Sequence, residues 1–247
     1  LYVPVSSDMV AVDNAIANFS EDDLFGMDML KKLRTMKHVL EALSRRVDCV
    51  VANPPYLGSK KLNSFMSEWV KNTYPEEKAD LCTCFIRRGF LLAIENGYNS
   101  MVTMQSWMTQ GSYKKMRTWL FDSKRILNMA HLGSRAFDQI SGEVVQVTVT
   151  VFLNGMFAGK GLYFDLTEQK NSSSKRDLLR ASIDGRDNEH FFYASQRGFA
   201  NLPESPVSYK VTHSTVEAFT LGKSLSSFGD SRSGMQTGDN KLFLRLW

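Results

Sequence analysis

The sequence predicts an α/β fold: an open sheet, mostly parallel, ending in a late antiparallel pair. Three observations lead there. Cys49 to Ala52 is a short apolar run of strand-favouring residues that stops at Asn53-Pro54-Pro55-Tyr56. Helical and strand-like patterns alternate from that point to about residue 166. Val144 to Leu153 is rich in β-branched residues, which suits a strand near the end of the series.

The elements follow in order. Leu1 to Val5 reads as a strand, made an edge by Pro4. Ser7 to Phe19 is weakly helical. Ser20, with Asp23 three residues on, has the form of a helix cap. Leu24, Met27, Leu30, Leu33, Met36, Leu40 and Leu43 recur at helical spacing and predict a long amphipathic helix packed along that stripe. A buried strand, Cys49 to Ala52, comes next. Helices are expected at Leu62 to Tyr74 and Ala79 to Ile94, then a turn at Asn96-Gly97 and a strand from Tyr98 to Met104. Ser112 to Phe121 reads as a helix. Arg125 to His131, Val144 to Leu153 and Leu162 to Leu166 read as strands. Beyond about residue 168 the chain turns polar and serine-rich, then mixes short helices with loops.

Composition narrows the class. The 247 residues are 43% hydrophobic, enough for one large domain or one and a half ordinary ones. No apolar run approaches the roughly 18 residues that would span a bilayer, and no signal peptide is visible. A soluble protein of the cytoplasm is expected, with no membrane partner. Cys49, Cys82 and Cys84 form no disulfide framework, and no metal-ligand spacing is present. The net charge of +4 permits a polyanionic partner without requiring one.

The Asn53–Tyr56 loop carries the chemistry. Two consecutive prolines forbid both helix and ladder pairing, so the chain must leave the sheet at Asn53. Open α/β sheets place their ligands at such strand ends. Asn53 Oδ1 and the Pro54 carbonyl are two acceptors that can hold the two hydrogens of an exocyclic amino group. The prolines keep the pair stiff, which lowers the cost of ordering it. Tyr56 offers a face on which a base can stack.

An Asn-Pro-Pro-Tyr loop after an apolar strand resembles the catalytic motif of amino-group DNA methyltransferases, above all those that modify adenine N6. Further segments extend the resemblance. They are Asp80-Leu81 with the apolar helix behind it, Asn96-Gly97-Tyr98, Met101 to Trp107, His131 to Phe137, Ser141 to Thr148 and Gly234 to Asn240. In that order they are similar to the BREX phage-defence adenine methyltransferases of the PglX group and related large restriction–modification methyltransferases. The resemblance covers most of residues 47–247.

It implies the C-terminal half of a Rossmann-like methyltransferase sheet, followed by the start of a mixed α/β DNA-recognition region. Residues 1–46 would lead in, 47–168 would be the catalytic half, and 169–247 a linker and the first part of target recognition. The methyl donor implied is S-adenosyl-L-methionine and the partner double-stranded DNA, with other phage-defence proteins as possible associates. Asn53, Pro54, Pro55 and Tyr56 would be catalytic, and Asn53 and Pro55 would also touch the donor. Tyr56 and Phe137 would hold the base, and Lys60 and Lys61 would meet the DNA backbone. A methyl donor of this class also needs a glycine-rich turn after the first strand. The glycine-rich piece from Gly155 to Gly161 follows the wrong strand, so that turn is expected before Leu1, and both ends of the chain are read as cuts. The isolated piece is then expected to be inactive. Two other readings stay open: the same chemistry on RNA or on a protein glutamine, and a DNA-binding module without catalysis.

Overall fold

The computed structural model describes residues 4–19, 24–137, 145–156 and 158–230. Ser20, Ser141 to Val144 and Gly234 to Asn240 lie outside them, as does most of the strand expected at Leu1 to Val5. Pro4 and Val5 are irregular.

Helices α1 (Ser6–Asn18) and α2 (Leu24–Ser44) form the lead-in. They pack through Val12, Leu30 and Leu40, and Lys37 Nζ reaches Asp13 Oδ1 at 2.7 Å. The stripe on α2 is only partly covered. Met27, Met36 and Leu43 remain exposed, because α1 is too short to cover all of the longer helix.

Six strands form one sheet: β1 (Val47–Ala52), β2 (Ala93–Met104), β3 (Arg125–Gly133), β4 (Val147–Leu153), β5 (Gly161–Asp165) and β6 (Phe191–Ala194). Their spatial order is β1-β2-β4-β3-β5-β6. β1 is parallel to β2 and β3 to β5, whereas β4 is antiparallel to both its neighbours and β6 to β5. The late antiparallel pair is therefore present, but β4 inserts between β2 and β3 where a simple series would have continued outward. Residue pattern predicts strands; it does not say which gap a strand fills.

Helix α3 (Ser64–Thr73) follows β1, and α4 (Leu81–Leu92) and α5 (Lys114–Ser123) connect β1 to β2 and β2 to β3. Ile86, Phe90, Trp107, Met116, Leu120 and Phe152 centre the core. Gly89 lets α4 sit directly on the sheet: a Cβ there would lie 2.3 Å from Asn99 Oδ1, and Asn99 Nδ2 donates to the Ile86 carbonyl at 3.0 Å. After residue 168 the same core continues. Helix α6 (Ser172–Ile183) is capped by Asn171, β6 joins the sheet, α7 (Gln196–Ala200) follows, and Phe199, Val207 and Tyr209 pack with the central cluster. Helix α8 (His213–Leu221) lies beyond.

Two local readings change. β1 was expected to be buried, yet Val47, Cys49 and Val51 are exposed, Val51 at 74%. The cause is topological: among the described residues β1 is the end strand of the sheet, and its outer edge is unpaired. Asn96-Gly97 does not end an element but forms a bulge inside β2, where the register jumps from Val47↔Ala93 to Cys49↔Tyr98. Asn96 takes a left-handed φ of 60°, a conformation Asn tolerates better than most side chains. The glycine-rich piece keeps its reading: although Phe157-Ala158-Gly159-Lys160-Gly161 has the aromatic-x-Gly-x-Gly order of a cofactor turn in sequence, Gly159 lies between β4 and β5 with a strand after it, and Arg125 donates to the Gly159 carbonyl. Because β4 runs against β1, β2 and β3, this piece is at the edge of the sheet opposite Asn53.

No helix among the described residues is long and apolar enough to cross a membrane.

Candidate active site

Strand direction places the carboxyl ends of β1, β2, β3 and β5 on one edge. Asn53 to Tyr56 leave β1 there. Pro54 is buried, Asn53 and Pro55 are exposed, and Tyr56 is half-buried. The Tyr56 hydroxyl donates to Asn53 Oδ1 at 3.1 Å, which fixes the amide orientation and leaves its second lone pair free. Burial raises the Tyr56 pKa to about 12, so the phenol stays a donor at neutral pH. Among the described residues nothing donates to the Pro54 carbonyl. The next residue, Pro55, has no N–H to offer locally.

The loop is latched from behind by α4. Asp80 caps that helix, accepting from Cys82 N at 2.9 Å, and the same Oδ1 accepts from Leu57 N at 3.2 Å. Ser59 N donates to the Ala79 carbonyl and Leu81 N to the Leu57 carbonyl. Asp80 is thus a cap and a latch, and its carboxylate is spent on backbone amides. Lys60 and Lys61 follow in a short 3-10 turn, Ser59–Lys61, and both are exposed. Trp107 is fully buried with its indole N–H on Thr103 Oγ1 at 3.0 Å, which makes it a core residue and not a pocket wall. Cys82 and Cys84 are buried on α4 as small apolar residues, and burial pushes the Cys84 thiol up to about 12. Phe137 is half-buried in the segment leaving β3. Among the described residues it makes no ring contact with Tyr56.

One buried acid stands apart. Glu77 is 2% exposed, its Oε1 has no hydrogen-bond partner, and Arg87 Nε is 3.9 Å away. Burial outweighs the Arg87 charge and raises the carboxyl pKa from 4.5 to about 7. A carboxyl raised in the folded state contributes stability below its unfolded pKa and loses it as pH rises through the folded value. Glu77→Gln is therefore expected to stabilise the chain above pH 7, by up to about 3 kcal/mol. It should also flatten the decline between pH 4.5 and 7. Urea unfolding at pH 5 and pH 8 measures both; equal pH slopes in the two proteins would count against the assignment.

Sequence reading missed two buried polar side chains that tie α5 to distant parts of the chain. The Arg117 guanidinium donates to the carbonyls of Trp107, Gln110, Glu204 and Ser205 at 2.7–2.9 Å. The Gln196 amide reaches carbonyls at the end of α5 and accepts from Ile126 N. Nothing in residue spacing signals a side chain whose partners are backbone carbonyls far along the chain.

The Eco57I restriction-modification methylase family matches residues 9–137, just over half of the chain, from α1 through the catalytic loop to Phe137. The chain belongs to this methylase family. Among curated methylase relatives, the adenine-specific methyltransferase BrxX of Escherichia coli O9:H4 (strain HS) is 39% identical over 209 residues, covering 83% of this chain and 16% of the relative. The adenine-specific methyltransferase PglX of Lacticaseibacillus casei (strain Zhang) is 34% identical over 218 residues, covering 87% and 18%. The chain spans less than a fifth of the length of either. In shape it is similar to a modification subunit of a putative type I restriction enzyme from Vibrio vulnificus YJ016. The TM-score is 0.52 at 13% identity, over 78% of this chain and 47% of that one. Family and shape together identify the methylase sheet as Rossmann-like.

Proposed function

We propose that the protein to which this chain belongs transfers a methyl group from S-adenosyl-L-methionine to adenine N6 in double-stranded DNA, as part of phage defence. The observation that carries this is the rigid acceptor pair at the end of β1: Asn53 Oδ1, oriented by Tyr56, beside a Pro54 carbonyl to which no described residue donates. Names of the relatives at 34–39% identity support the choice of adenine.

The target base is first flipped out of the duplex, at a cost of a few kcal/mol. Asn53 Oδ1 and the Pro54 carbonyl then hold the two N6 hydrogens, which turns the nitrogen lone pair out of conjugation and towards the donor. Tyr56 stacks on the base, a contact worth about 1–3 kcal/mol, and Phe137 closes its other side. S-adenosyl-L-methionine, held on this side by Asn53 and Pro55, would supply the methyl group to N6, with the N6 proton leaving to water. Much of the acceleration comes from positioning. Lys60 and Lys61, exposed just past the loop, meet the phosphate backbone.

The residues present fit one wall of a donor site. Asn53 and Pro55 are exposed on the loop, and beside them the outer edge of β1 is unpaired among the described residues. The remaining wall has to come from residues placed against that edge. The 247-residue chain alone is therefore expected to show no turnover; steady methylation by it, with stoichiometric donor binding, would contradict this arrangement. Labelled methyl transfer by the full-length enzyme, offered DNA, RNA and protein separately, tests the proposal. Label in DNA is expected. Label only in RNA or protein would overturn the substrate, and salt-sensitive DNA binding with no transfer would favour a non-catalytic binder.

A further inference from the structure

The amino ends of β3 and β5 and the carboxyl ends of β4 and β6 meet on the edge of the sheet opposite Asn53. They border a cavity of about 400 Å³, within the size range of small-ligand sites. Its wall carries Arg125 at the start of β3, Lys160 just before β5 and Arg197 just after β6, with Phe121 of α5 beside them. Among the described residues no acidic side chain lines it. A second cavity of about 310 Å³ shares Lys160, Ser195 and Arg197 with the first and continues past Tyr193 to His213.

The charge in this wall is not neutralised from within. Arg125 is 5% exposed, and among the described residues its guanidinium makes one hydrogen bond, to the Gly159 carbonyl. Burial lowers the Arg125 pKa and the positive charge of Arg197 lowers it further, yet a guanidinium stays charged throughout the working pH range. Lys160 and Arg197 are exposed, and among the described residues neither has an ion-pair partner. A buried positive charge without a counter-charge is costly, and further cations beside it add repulsion. A concave wall of one sign also focuses its field into the hollow. An anion seated there offsets both costs.

The donor set fits phosphate. Guanidinium groups grip phosphate oxygens as a fork, and a lysine adds a point charge. The nine residues of β3, at about 3.3 Å each, put the two edges of the sheet roughly 30 Å apart. A straight duplex seated at Asn53 is therefore on the far side of the sheet from this wall. A small molecule is under no such restriction, and the adjoining cavity has room for the rest of it.

We propose that this hollow binds a small phosphate ester, its phosphate held by Arg125, Arg197 and Lys160 and its body seated in the adjoining cavity towards Tyr193. The site is separate from the catalytic loop, and its test needs no methyl transfer.

Calorimetric titration of the full-length enzyme with inorganic phosphate, and then with uridine 5′-monophosphate, reads the site. Uracil has no exocyclic amino group for the Asn53 loop to hold, so the nucleotide reports on its phosphate. Both probes are expected to bind one per chain and to compete. Arg197→Glu is expected to weaken each at least about tenfold, and Lys160→Gln to weaken each several-fold. Both side chains are exposed, so both variants are expected to keep the wild-type melting temperature. Lys170→Gln removes an exposed lysine that lines neither cavity and is expected to change neither affinity. No saturable binding of either probe by the wild type would overturn the inference. So would binding that Arg197→Glu leaves unchanged, or an Arg197-dependent affinity for duplex DNA with none for the small probes.

Discussion

Asn53→Ala in the full-length enzyme is expected to remove methyl transfer by at least about a hundredfold in kcat while DNA binding persists. The side chain supplies one of the two acceptors that orient the amino group, and the Pro54 carbonyl cannot substitute because its position is fixed by the buried ring. DNA affinity is expected to survive, since it comes mainly from phosphate contacts spread over the surface. Steady-state transfer and a salt titration of binding separate the two. Tyr56→Phe refines the result: the stacking face remains, but the 3.1 Å hydrogen bond that sets the Asn53 amide is lost. An Asn53→Ala enzyme with ordinary turnover would remove the side chain from the mechanism.

Arg117→Met carries the largest expected cost to stability, about 3 kcal/mol or more. The guanidinium is fully buried and joins α5 to the turn after β2 and to Glu204-Ser205. Methionine fills similar space but leaves four carbonyls without their donor. Burial lowers the Arg117 pKa, yet a guanidinium remains charged throughout the working pH range. Thermal unfolding should show a fall of roughly 6–12 °C for a domain of this size. A fall below that for an ordinary surface substitution would mean that water replaces the lost donors.

The sequence showed the catalytic loop because its signal is local. Asn53, Pro54, Pro55 and Tyr56 are adjacent, and two prolines force an exit from the strand wherever the strand lies. Helices α3, α4 and α5 were legible for the same reason, since 3.6-residue periodicity is a short-range property. Long-range features were not legible. The placing of β4 between β2 and β3 depends on pairing across more than forty residues of chain. β1 was read as buried because apolar strands usually are, and only the sheet order shows its free edge. His131 carries no local signal of its contacts in the sequence. Its partners, Gln105 and Tyr209, are 26 and 78 residues away and are neutral. The glycine-rich piece at residues 155–161 was set aside for following the wrong strand, and strand direction puts it at the edge opposite Asn53.

The most direct measurement is the chemical identity of the modified nucleoside. The full-length enzyme would be expressed in a host free of adenine methylation, and its DNA digested and analysed by mass spectrometry alongside DNA from an Asn53→Ala strain. N6-methyladenine is expected at one recurring sequence with the wild type and not with the variant. Methylation at a cytosine amino group, or N6-methyladenine that persists in the variant, would contradict the proposed mechanism.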